Sequence, residues 1–219
     1  TALIDMYAKC GVLSKAREVL EDIYVRDVIT WNAIISAYAH HGQGHEALKC
    51  FQQMESEGFA PDAVTFICVL MACGSIGAME KGLQIHERIA SQGFLKKDIV
   101  VGAALVDMYA KYGMFTFAKE LLRDLPARNV TCWNALLAGY AKQGLGREAL
   151  TCFEQMKSEG FTPDDITFLC VLSACSHSGL LGEAQVIFEN MPTKYGINPN
   201  IEHHSCMVIG FGCAGHFDK

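Results

Sequence analysis

Proline is scarce in this chain, five residues in 219, and charged residues make up only 19% of it. With 51% hydrophobic residues beside so few breakers and charges, the disordered class is excluded and a folded chain with a substantial core is expected. Long apolar runs are missing too: none reaches the roughly 18 residues that a membrane helix needs, so no membrane partner is expected. No signal peptide and no CxxC spacing occur, so the ten cysteines read as reduced thiols rather than as a disulfide scaffold or a zinc ribbon. The phosphate-binding P-loop, GxSxG, GxGxxG and HExxH are all absent, and neither a catalytic residue, a metal nor a cofactor is expected. An excess of basic residues is lacking as well. The net charge of -6 argues against a partner held by charge alone.

What the sequence has in plenty is itself. "CFQQMESEGFAPD" at Cys50 to Asp62 returns as "CFEQMKSEGFTPD" at Cys152 to Asp164, an offset of 102. Trp31-Asn32 returns as Trp133-Asn134, Tyr38-Ala39 as Tyr140-Ala141, Thr65-Phe66 as Thr167-Phe168, and "DMYAK" at Asp5 to Lys9 as "DMYAK" at Asp107 to Lys111. A finer ruler lies inside this period. Gly11, Gly42, Gly77, Gly113, Gly144, Gly179 and Gly215 are spaced 31, 35 and 36 residues apart in strict rotation. Five residues after each of the first six comes a small residue: Ala16, Ala47, Gly82, Ala118, Ala149 and Ala184.

Each unit reads as two helices. Trp31, Ile34, Ile35 and Tyr38 fall at i, i+3, i+4 and i+7 of one helical face; past Gly42, Ala47, Phe51 and Met54 do the same for a second helix. The glycine suits the end of the first helix, and the alanine suits a close helix crossing. Gly58 and Pro61 end the second helix, and Asp62 can cap the next. Units this small cannot bury their apolar faces alone, so they are expected to stack into an all-α solenoid, a superhelix of helix-turn-helix repeats with an extended concave surface.

The stretches "TWNAIISAYAHHGQGHEALKCFQQMESEGFAPD" and "TCWNALLAGYAKQGLGREALTCFEQMKSEGFTPD" resemble the pentatricopeptide repeat family, and the rotation of unit lengths resembles its plant PLS subfamily. The resemblance covers the whole chain and implies these units: residues 1–27 a partial S repeat, 28–62 P, 63–98 L, 99–129 S, 130–164 P, 165–200 L and 201–219 a partial S. It implies binding of single-stranded RNA at about one base per repeat. The fifth and last residues of a repeat would together face the base, and an apolar residue at the second place would pack on it.

Carried over repeat by repeat, the resemblance pairs Thr1 with Asp27 for guanine, and Asn32 with Asp62 and Asn134 with Asp164 for uracil. Ile67 with Asp98 and Leu169 with Asn200 leave their bases undefined. Ala103 with Asn129 departs from the usual polar pair and implies adenine, and Ser205 leans toward a purine. Ile29, Val64, Val100, Thr131 and Ile166 would sandwich the bases. Lys9, Lys111 and Lys142 share the thirteenth place, where the family often presents a lysine to phosphate; His40 and His177 take it in two other units. The implied partner is an organellar transcript, in the mitochondrion or chloroplast. The chain would be the recognition segment of an RNA editing or processing factor, with editing cofactor proteins or a deaminase recruited in trans, since the HxE and PCxxC clusters of a zinc deaminase are not in this sequence.

Plainer readings stand beside these. The Asp or Asn that closes every complete unit is explained by helix capping without any RNA, and the lysines by solvated helix C-termini. Cys68 with Cys73 and Cys170 with Cys175 are five apart, which does not aim two sulfurs from one helix face, and read as core. The competing function is a protein-binding helical scaffold.

Overall fold

A computed structural model of the chain describes residues 2–213, and among these every regular element is an α-helix. The chain forms two compact units. The first, residues 1–112, holds α1 (Ala2–Lys9), α2 (Leu13–Asp22), α3 (Val28–His40), α4 (Gly44–Ser56), α5 (Ala63–Ile76), α6 (Met79–Ser91), the short α7 (Phe94–Lys97) and α8 (Ile99–Lys111). The second, residues 113–219, holds α9 (Phe115–Asp124), α10 (Val130–Lys142), α11 (Gly146–Ser158), α12 (Asp165–His177), α13 (Leu181–Tyr195) and α14 (Ile201–Cys213).

Within each unit the helices pair and the pairs stack in series, as expected of a solenoid. In the first unit α3 packs on α1, on α5 and on its own partner α4, and α5 repeats the arrangement with α3, α8 and α6. In the second unit α12 packs on α10 and α14 and on its partner α13. The turn between paired helices is made by glycine for a stereochemical reason: Gly42 has φ 72° and Gly144 φ 66°, a left-handed backbone that other residues rarely adopt. Five residues on, Ala16, Ala47, Ala118, Ala149 and Ala184 are fully buried, and so is Gly82, where an added Cβ would lie 2.6 Å from the Met108 sulfur. Gly215 lies outside the described residues.

The two helices of a pair differ in a way the spacing did not reveal. A single apolar face was expected for the first helix, yet α3 buries Thr30, Trp31, Asn32, Ile34, Ile35, Ala37, Tyr38 and Ala39, nearly its whole circumference. It is flanked by first helices on both sides and backed by a second helix, so apolar residues are needed all round. Beyond the opening residue Val28, only a narrow stripe escapes burial: Ile29, Ala33, Ser36 and His40, at i, i+4, i+7 and i+11. The second helices are amphipathic in the ordinary way. In α4 the buried set is Gly44, Ala47, Cys50, Phe51 and Met54, and α11 repeats it 102 residues later as Gly146, Ala149, Cys152, Phe153 and Met156.

Successive pairs are also clamped from outside the core. Arg26 donates to the Leu20 carbonyl at 3.0 Å and pairs with Glu57 at 2.8 Å, tying α2 to the end of α4. Its counterpart Arg128 pairs with Glu159 at 2.6 Å. The 36-residue units use their extra length to cover an aromatic: Phe94 meets Phe66 edge-on at 5.2 Å, and Tyr195 meets Phe168 at 5.0 Å.

Gly44 and Gly146, which open α4 and α11, touch the next first helix. A Cβ on Gly44 would lie 2.8 Å from the backbone oxygen of Ala72, and one on Gly146 would lie 3.0 Å from that of Ala174. Backbone cannot swing aside as a flexible side chain can. Gly44→Ala should therefore destabilise the chain by about 1–3 kcal/mol, measured by urea unfolding. Gly182→Ala, where nothing lies within 4 Å of the added carbon, should leave stability unchanged or raise it by up to ~1 kcal/mol.

Candidate functional site

The unburied stripes of the first helices carry the residues singled out from the sequence. At the second place of each unit stands an exposed side chain where a buried one would be ordinary: Ile29 is 64% exposed, Val64 50%, Val100 49% and Ile166 57%, with Thr131 exposed as well. In the first unit these side chains border a real concavity. A groove of about 490 Å³ is lined by Ile29 and Val64, with Asn32, Ser36, Lys9 and His40 between and beside them. Two expected sandwich residues, one expected base reader and one expected phosphate contact thus share one groove.

Asn32 and Asp62, 30 residues apart in sequence, are joined directly. Asp62 precedes α5 in extended conformation and accepts from the Thr65 amide at 2.9 Å, capping the helix. The same carboxylate accepts from Asn32 Nδ2, at 2.9 Å to one oxygen and 3.1 Å to the other. Thr65 Oγ1 accepts from the Asp62 amide at 3.2 Å, and its single proton lies between Asn32 Oδ1 at 2.6 Å and Asp62 Oδ1 at 2.9 Å. The second unit repeats this: Asn134 Nδ2 donates to Asp164 at 2.9 Å, Thr167 Oγ1 lies 2.7 Å from Asn134 Oδ1, and the Thr167 amide donates to Asp164 at 2.8 Å. Because the carboxylate only accepts and the hydroxyl proton must go to an oxygen, the network also fixes which way each amide faces. The carboxylate that caps α5 is thus also the one that pairs with Asn32.

Partial burial by itself would raise the Asp62 and Asp164 pKa values. The threonine amide, the asparagine side chain and the threonine hydroxyl outweigh it, and both carboxyls are held below their ordinary value. Asp27, which caps α3, is likewise lowered, by the hydroxyl and amide of Thr30 at 2.5 and 2.7 Å.

The remaining expected residues differ in setting. Asp98 caps α8 through the Val100 amide at 2.8 Å, and Asn129 caps α10 through the Cys132 amide at 3.1 Å. Ala103 is buried. Ser205 donates its hydroxyl to the Ile201 carbonyl at 2.7 Å, so its proton is engaged within α14. Lys9 and Lys142 are exposed at the ends of α1 and α10, whereas Lys111 is paired with Asp107 at 2.6 Å. Thr1 lies outside the described residues. The buried cysteines behave as core: burial raises the thiol pKa of Cys68, pushes Cys73 and Cys175 up to about 11, and pushes Cys152 and Cys170 up to about 12. Sequence reasoning missed Thr65 and Thr167 as members of the network, although both appeared in the 102-residue match.

Comparison with known proteins agrees with this architecture. The PPR repeat family matches residues 26–75 and 128–177, and the PPR repeat matches residues 1–28 and 166–195. The chain belongs to the pentatricopeptide repeat family. Along its whole length it is 38% identical to pentatricopeptide repeat-containing protein At4g30700 of Arabidopsis thaliana, of which it spans 28%. To pentatricopeptide repeat-containing protein CRR2, chloroplastic, of the same plant, it is 39% identical, spanning 34%. Among solved structures, the pentatricopeptide repeat protein PPR10 in complex with an 18-nt psaJ RNA element matches 97% of this chain and 31% of its own, with TM-score 0.67 and 27% identity. The chain thus spans about a third or less of these pentatricopeptide repeat relatives.

The lowered carboxyl pKa values give a pH signature. A carboxyl depressed by folding contributes its full stabilisation above its unfolded-state pKa, about 3.9 for aspartate, and loses it as the pH falls through the lower folded value. Asn caps as well as Asp. The double variant Asp62→Asn, Asp164→Asn should therefore remain folded near neutrality and lose less stability than wild type on acidification below about pH 4, read by thermal unfolding across a pH series.

Proposed function

We propose that this chain binds single-stranded RNA through the unburied stripes of its first helices, at about one base per repeat. The observation that carries the reading is the juxtaposition of exposed Ile29 and Val64 on either side of the Asn32–Asp62 pair in one groove. Apolar side chains left facing water on both flanks of a polar pair suit a flat ligand with an edge of donors and acceptors, and a base has both. An ionised carboxylate accepts only, so it favours a base with a ring N–H, as in uracil and guanine, over neutral adenine and cytosine; the asparagine amide can then donate to the adjacent carbonyl. Uracil is accordingly assigned to the repeats at 28–62 and 130–164. The kinship with PPR10, whose structure holds an RNA element, supports the same ligand class.

With the N-terminal repeat at the 5' end, the register is G-U-any-A-U-any-purine. Thr1 with Asp27 reads guanine, Ala103 with Asn129 adenine, and Ser205 the final purine. Ile29, Val64, Val100, Thr131 and Ile166 pack on the bases. Lys9, Lys111 and Lys142 meet phosphate, Lys111 by exchanging Asp107 for it. The 31-, 35- and 36-residue rotation supports a PLS-class reading. In that class the role is recognition of an organellar transcript for cytidine-to-uridine editing, with a deaminase acting from elsewhere. A chloroplastic relative, CRR2, is in keeping with an organellar site of action.

A binding titration at two salt concentrations tests this with the cognate RNA, the same RNA with both uridines changed to adenosine, and the matching DNA. The cognate RNA should bind tighter by about 1–3 kcal/mol per correctly read base, with a salt slope steepened by about 0.7 per phosphate contacted. Asn134→Thr with Asp164→Asn should move the fifth position toward adenosine. Equal, weak binding of all three ligands would overturn the reading in favour of the protein-binding scaffold.

A further inference from the structure

The threonine at the third place of a unit is buried against the reading pair of the unit before it. Thr30, Thr65 and Thr167 follow the units whose fifth residue is polar, namely Thr1, Asn32 and Asn134. Val101, Cys132 and His203 follow the units whose fifth residue is apolar, namely Ile67, Ala103 and Leu169. The place itself is always buried, so packing does not call for a hydroxyl. Capping does not call for one either: Asp98 and Asn129 cap α8 and α10 with Val101 and Cys132 at that place. At the last junction His203 substitutes differently, its Nδ1 accepting from the Asn200 amide at 3.1 Å and its Nε2 donating to the Asp165 carbonyl at 2.9 Å.

We infer that Thr65 and Thr167 are positioning residues for base recognition, a third specificity determinant in each uracil-reading repeat; this rests on the RNA-binding reading above. The hydroxyl engages Asn32 Oδ1 at 2.6 Å and Asn134 Oδ1 at 2.7 Å, so the acceptor end of each amide is used inside the protein. Nδ2 carries two protons, and the carboxylate takes one. What the pair offers a ligand is then one amide donor beside one carboxylate acceptor. Without the hydroxyl, Nδ2 stays on the carboxylate but Oδ1 loses its partner inside the protein, which leaves it able to accept from the exocyclic amine of cytosine. The threonine thereby favours uracil over cytosine, a distinction that side-chain size cannot make.

The test uses the full 219-residue chain and RNAs in which either uridine is replaced singly by cytidine. Thr65→Val should lower the uridine-over-cytidine ratio at the second position by about tenfold, the loss of one hydrogen bond in a charged network. The ratio at the fifth position should stay intact within the same molecule, and Thr65→Ser should restore the second. A merely structural threonine would weaken all RNAs alike and leave both ratios unchanged, overturning the inference. A wild-type chain that fails to discriminate at either position would instead overturn the RNA-code reading beneath it. If Thr65→Val does not fold, a gain of function decides: Ile67→Asn with Val101→Thr should create a uridine preference at the third position beside Asp98, and Ile67→Asn alone should not. Equal preference in the single and double variants would overturn the inference.

Discussion

The short polar side chain at the start of each first helix is the constraint on which the rest depends. The opening amides of a first helix have no acceptor within the helix, and a short polar side chain just before it supplies one. Asp27, Asp62, Asp98, Asn129 and Asp164 do so, each from an extended backbone position. At Asp62 and Asp164 that residue also receives the asparagine of the preceding pair. Stacking of one pair on the next and presentation of the polar pair are therefore one event. A chain that had not docked its repeats would not bring Asn32 to Asp62 or Asn134 to Asp164.

Burial on nearly all sides also limits which part of a first helix faces solvent. Three first helices, α3, α5 and α10, contain neither Asp nor Glu, whereas α1 places Asp5 in the groove with Lys9 and α8 holds Asp107 in a pair with Lys111. The acidic balance of the chain sits largely on second helices, where Glu46, Glu55, Glu154 and Glu159 at the end of α11 are engaged by Lys49, Arg88, Lys157 and Arg128. A net charge of -6 thus says little about the field along the stripe, which ends in Lys9, His40, Lys142 and His177. What matters to a polyanion is local sign.

Period made much of this legible. The glycine turns, the buried small residues and the capping residues follow from positions that recur at a fixed offset, because each repeat solves the same packing problem, whereas the pairing of Asn32 with Asp62 was implied by the family resemblance alone. Thr65 escaped notice because a β-branched residue in an opening helical turn looks unremarkable, and its hydroxyl acquires meaning only when the neighbouring asparagine is placed against it. The full burial of α3 was hidden for a similar reason: periodicity shows that a helix has an apolar face, not how many neighbours will surround it. Gly44 and Gly146 were likewise invisible, since a glycine that opens a helix reads as punctuation until the carbonyls of Ala72 and Ala174 are seen beside it.

Sharing one residue between capping and the proposed base recognition has a further consequence. Asp and Asn are nearly equal as caps, so exchanging them at the last place of a repeat costs the helix little. The exchange nevertheless changes the hydrogen-bonding character offered to a ligand, from a carboxylate that only accepts to an amide that both accepts and donates. Stability restricts that place to a few short polar side chains, and within them the choice is left to the partner. At the fifth place the restriction is looser: Asn32, Ile67 and Leu169 occupy it in α3, α5 and α12, each of which stacks on a first helix at either side. Under the proposed reading, a repeat can therefore change the base it prefers by changing side chains whose backbone setting and helix contacts stay the same, which lets recognition vary while the fold remains constant.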